Sequence, residues 1–131
     1  MDYCEIYDSA LQLIGESPSS PTASDYEVRA GYILANLTTI LAPLDVQYLA
    51  ANGTNGTPPV ARSYVELTKF FPLTTSFAPA STFYLASMLV MGENEELSQR
   101  LYALYAEEIA RFKTAIPRKC EGTVDRYRIL R

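Results

Sequence analysis

The sequence predicts an all-α protein: a small bundle of about four helices, a long irregular middle connection and an extended C-terminal arm. Three observations lead there. Apolar residues recur at helical spacing in four segments. Capping or breaking residues punctuate those segments. The stretch between the second and third holds two Asn-Gly pairs and Pro58-Pro59, with Pro72 further on, which disfavours a central strand. A chain of 131 residues fits one domain, residues 1–117, with residues 118–131 as the arm.

The first helix is expected over residues 2–14, capped by Asp2. Tyr3, Ile6, Tyr7, Ala10, Leu11 and Ile14 make its apolar face, and Gly15 can take the left-handed position beyond it. A Ser- and Pro-rich loop over residues 16–23 follows. The second helix is expected to open at Ser24, with Glu27 completing a capping box and Asp25 favourably placed at the positive end of the dipole. Ile33, Leu34, Leu37, Leu41 and Leu44 form its stripe. Pro43 is expected to end or kink it, leaving residues 45–51 as a short turn.

Residues 52–59 read as a loop. Residues 64–75, with Tyr64, Val65, Leu67, Phe70, Phe71 and Leu73, allow a short strand or a packed extended segment. The third helix is expected from about Ser76, with Pro79 in its first turn where a missing amide hydrogen is harmless, to Met91, ended by Gly92. It is apolar nearly all round, and part of its burial is expected to come from other copies or a partner. Small residues Ala78, Ala80, Ser81, Ala86 and Ser87 suit close helix approach. Asn94 caps the fourth helix, with Glu95 and Glu96 in its first turn. Leu97, Leu101, Leu104, Tyr105, Ile109, Phe112 and Ile116 form its stripe, and Pro117 stops it. Glu96 with Arg100, and Glu107 with Arg111, are spaced as surface pairs.

The charge is uneven. Residues 111–131 hold seven basic groups against two acidic ones, a net +5, which leaves −9 on the rest of a chain whose total is −4. An acidic body with a basic tail points to docking on an acidic surface or on nucleic acid. The acidic body argues against a general DNA-binding domain, since phosphate contacts need several basic groups on one face. With no His, no Ser-His or Cys-His dyad and no His-based zinc site can form. Cys4 and Cys120 stand far apart, as free thiols or as a terminus-to-terminus disulfide. Glu95/Glu96 and Glu107/Glu108 diverge by about 100° on a helix and do not converge on one site. The ten tyrosines fit a core or subunit interface better than a stacking platform. Met88 and Met91 read as packing residues. No enzyme is therefore expected, and no cofactor or metal. No run of apolar residues approaches the roughly 20 of a membrane helix, and the acidic start, Met1-Asp-Tyr-Cys-Glu5, lacks the basic opening of a signal peptide, so a cytoplasmic origin is expected and the Asn-X-Thr patterns are discounted.

Three stretches resemble the head–tail connector proteins of tailed bacteriophages, also called adaptor or head-completion proteins. The first is Glu5-Ile-Tyr-Asp-Ser-Ala-Leu-Gln-Leu-Ile-Gly15 with the polar turn and capped helix after it. The second is Ala80-Ser-Thr-Phe-Tyr-Leu-Ala-Ser-Met-Leu-Val90 leading into Gly92-Glu-Asn94. The third is Leu101-Tyr-Ala-Leu-Tyr105. Together they cover about half of the chain, and they are patterns of residue type. The resemblance implies a structural virion protein in the phage neck, assembled in the host cytoplasm. It would form a homo-oligomeric ring, a dodecamer, between the portal protein and a neck or tail protein. The ring would extend the channel through which packaged DNA passes and help retain that DNA.

The resemblance also implies that the C-terminal arm reaches the portal or a neighbouring subunit. The residues expected to make that contact are Arg118, Lys119, Arg126, Tyr127, Arg128, Ile129, Leu130 and Arg131. An acidic channel wall would let DNA slide without sticking. The long middle connection departs from a plain bundle. Two other readings stand beside this one: a small helical chaperone or regulatory module that takes a partner helix in a groove on the third helix, and a nucleic-acid binder acting through the basic arm.

Overall fold

The structure, a computed structural model, describes residues 1–17 and 23–116. Four α-helices run through these residues: α1 (Tyr3–Leu13), α2 (Ala23–Ala51), α3 (Ala78–Val90) and α4 (Glu95–Ala115), with a 3-10 turn at Thr75–Phe77 leading into α3. This is the expected small all-α bundle.

Asp2 caps α1 as expected. Its side chain accepts from the Glu5 amide and the Glu5 carboxylate accepts from the Asp2 amide, each at 3.4 Å. Gly15 follows at φ 79°. Asn94 caps α4, accepting from the Leu97 amide at 3.1 Å. Ser24, by contrast, lies inside the first turn of α2, because that helix already includes Ala23.

Pro43 does not end α2, which runs on to Ala51. Pro43 has no amide hydrogen and so forfeits one ladder hydrogen bond, and its residue is solvent-exposed. Tertiary packing outweighs that loss: Leu41, Ala42 and Asp45 on either side are buried. At 29 residues α2 is about 43 Å long. By length and composition alone, residues Ser24–Ala51 are apolar enough to cross a membrane, whereas no run of that length is expected from the sequence. Here the segment supplies Tyr26, Ala30, Leu34, Leu37 and Leu41 to the core.

α3 is the central element. Ala78, Ala80, Ser81, Leu85, Ala86, Ser87, Leu89 and Val90 are all buried, against α4 on one side and α1 and α2 on the others. The chain itself therefore covers most of the all-round apolar helix, and the burial expected from other copies is not needed for it. Small residues set the α3–α4 spacing. Ser87 Oγ donates to the Ser98 carbonyl at 2.9 Å, and Ser98 Oγ donates to the Ser87 carbonyl at 3.0 Å. These reciprocal bonds satisfy both buried hydroxyls where the two helices meet.

The middle connection packs as an extended segment, and no strand forms among the described residues. Leu67, Phe71 and Leu73 are buried. One antiparallel bridge, Asp2 to Phe70, ties it to the N-terminus, with the Tyr3 amide donating to the Lys69 carbonyl and the Phe71 amide to the Met1 carbonyl, both at 3.0 Å. Further along, the buried Asp45 carboxylate accepts from the Thr74 amide at 3.0 Å and the Thr74 hydroxyl at 2.6 Å. That pair fixes the entry into α3.

Candidate functional site

The arm residues picked out by the sequence, Arg118, Lys119, Arg126, Tyr127, Arg128, Ile129, Leu130 and Arg131, lie outside the described residues, as does Cys120. What the structure does place is the end of α4, just before those residues. Phe112, in the last full turn of α4, stacks on Phe77 at 4.2 Å between ring centroids, with an interplanar angle of 17°. Tyr48 of α2 meets both rings edge-on, at 5.8 Å and 5.4 Å. The Ile116 amide donates to the Phe112 carbonyl at 3.2 Å. The chain thus leaves α4 beside the start of α3, from an aromatic cluster of three elements.

Three of the troughs along the body are lined by described residues. The first, about 640 Å³, lies between α2 and the middle connection and is lined by Tyr3, Thr38, Val60, Tyr64 and Phe70. Arg62, Lys69 and Glu66 stand on its edge, a net positive rim. Phe70 is 81% exposed and Val60 77%. The bridge to Asp2 holds Phe70 outward while Phe71 turns in against Tyr3, edge-on at 5.8 Å. The second, about 620 Å³, runs between α1 and the first half of α3, with Met1, Leu13, Pro79 and Phe83 on its walls and Glu5 at its rim. The third, beside Pro43, is lined by Ala42, Val46, Pro58 and Pro59 and carries no charged residue.

Residues 1–28 carry acidic side chains and no basic one; the first basic side chain of the chain is Arg29. Burial, and then Asp8, Asp2, Glu27 and Glu5, push the Cys4 thiol above its ordinary value. The protonated thiol is a weak nucleophile. Burial, followed by Glu27, pushes the Tyr7 hydroxyl up to about 12. Tyr26 is raised by burial and by its 2.9 Å hydrogen bond to Glu93, which ties α2 to the α3–α4 turn. Arg29 reaches the Met88 carbonyl at 3.2 Å near the negative end of α3.

The paired glutamates have structural partners. Glu95 accepts from the Gly92 amide at 3.2 Å. Glu96 meets Arg100 at 3.5 Å in the open, as expected. Arg111 pairs with Glu108 at 2.7 Å rather than with the expected Glu107, Glu108 being the less exposed of the two. Among the described residues no group of three or more His, Cys, Asp or Glu is gathered as a metal site. The tyrosines divide between core and surface: Tyr3, Tyr7, Tyr26 and Tyr105 are buried, while Tyr32, Tyr64 and Tyr102 are exposed. Leu104, placed on the apolar stripe by its spacing, is 38% exposed.

Sequence reasoning missed the troughs and the close approach at Gly31. There the Tyr64 ring lies on the α2 backbone, and the Val65 amide donates to the Gly31 carbonyl at 3.2 Å. A glycine in the middle of an apolar helix is the signal that could have found it, since it costs about 1 kcal/mol against Ala and implies a packing reason. No family model, no curated protein and no solved structure matches this chain.

Proposed function

We propose that this chain is a non-enzymatic assembly protein of the virion neck, an adaptor that forms a ring on the portal and offers a platform to the next neck or tail protein. The observation that carries the reading is the junction at Ile116, where an acidic helical body gives way to a basic segment. The cluster of Phe77, Phe112 and Tyr48 anchors that junction rigidly, so a contact made by the arm positions the whole body. In this reading the arm meets the portal, the body lines a channel past which packaged DNA slides, and Phe70 and Val60 are left for neighbours.

Mixing the purified chain with a phage portal and measuring the mass of the product tests this. The expected outcome is a discrete complex with one copy per portal subunit. Removing residues 118–131 should abolish it and leave the helical signal unchanged. A stable monomer or dimer that ignores the portal overturns the reading. That result would favour a small chaperone or regulatory module, for which the trough between α1 and α3 supplies the groove that α3 alone, covered by its neighbours, does not.

A further inference from the structure

The trough between α1 and α3 has an apolar floor and an uncovered mouth. Met1 is 44% and Leu13 42% exposed at its edge, and Phe83 and Pro79 face them from α3. α3 contributes no charge to it. Glu5 is the carboxylate among the residues that line it, Asp2 and Asp8 stand near it in the chain outside the lining, the Met1 ammonium is the one opposing charge, and no basic side chain occurs before Arg29. The occupant this suits is a short segment with apolar side chains set between basic ones.

The chain carries such a segment. Residues 126–131 read Arg-Tyr-Arg-Ile-Leu-Arg, three apolar groups among three guanidinium groups. We propose that the trough between α1 and α3 is the seat of this chain's own residues 126–131, held there until a partner displaces them.

Reach supports an intramolecular seat. α4 ends next to Phe77, and the trough begins at the adjacent Ala78 and Pro79. From Ile116 to Arg126 the chain can extend at most about 33–36 Å. α1, which forms one whole wall, is about 16 Å long. The segment can therefore lie anywhere along the trough. Charge separates this trough from the other two. The first has Arg62 and Lys69 on its rim and would repel the arm. The third has no charge to attract it. Apolar contact with Leu13 and Phe83 supplies the affinity, and the acidic rim supplies direction and salt sensitivity.

The inference deepens the adaptor reading, since the element that meets the portal is then sheltered beforehand. Its test needs no portal, so the two can fail separately. In full-length chain with Cys4→Ser and Cys120→Ser, Ile129→Cys is combined either with Ser9→Cys in this trough or with Thr39→Cys, which lines both the first and the third. Both partner positions are exposed and should not disturb folding, which the helical signal checks. Under mild oxidation the Ser9→Cys pair should close within one chain about ten-fold faster than the Thr39→Cys pair, as a local effective concentration demands. High salt, or Glu5→Lys with Asp8→Lys, should erase that advantage. Equal rates for the two pairs overturn the proposal. So does a Ser9→Cys pair that closes only between chains, which would assign the trough to a second copy.

Discussion

At Gly31 one absent methyl group decides how the middle connection lies. A Cβ there would overlap the Tyr64 ring and come 2.8 Å from the Val65 carbonyl oxygen. Gly31→Ala gains about 1 kcal/mol of helix propensity but forces an overpacking cost of about 1–3 kcal/mol. The expected net effect is a loss of about 1 kcal/mol, read as a lowered melting temperature; adding Tyr64→Ala should recover part of it. Asp45 is a second single-residue control point. It is 4% exposed and accepts both Thr74 bonds. Asp45→Ala would leave the Thr74 amide unsatisfied, at a cost of about 1–3 kcal/mol by denaturant titration, and Asp45→Asn, which keeps an acceptor, should cost less. Tyr7 gives the pH dependence. Its folded pKa is raised from 10.0 to about 12, so the folded state holds the proton more tightly. The stability it contributes is fully present below pH 10 and lost as pH rises through about 12. Tyr7→Phe should flatten the alkaline limb of a stability–pH profile.

Elements were legible where a side chain closes a boundary locally. Asp2, Gly15, Pro79, Gly92 and Asn94 each act within a few residues, and each marks the end that the structure has. The end of α2 was not legible, because Pro43 is a local signal and its neighbours' burial is a tertiary one. The troughs were illegible for the same reason, each being made by two segments distant in sequence. At the α3–α4 contact, size is the operative property. Ser87 is 1% exposed, and its hydroxyl contacts the Ser98 backbone. Ser87→Leu should wedge the helices apart and cost several kcal/mol, more than the about 1 kcal/mol expected for Ser87→Ala. Amide exchange should then accelerate across α4 ahead of α1.

For the whole molecule, the order of attachment matters as much as the set of contacts. α4 is fastened along its length to α3, and it meets α2 through Phe112 on Tyr48. The two helices run antiparallel, so Ile116 hangs at the end of α4 farthest from the Gly92 turn. If the arm is pulled, the tension enters the body at Phe112. It is shared at once with Phe77 and Tyr48, and a pull along the α4 axis is borne as sliding along the α3–α4 seam. Packed helices resist shear over many side chains together, whereas peeling breaks them one at a time. Placing the rings at the trailing end thus works as a strain relief: traction on the last residues of the chain is met by the bundle as a whole.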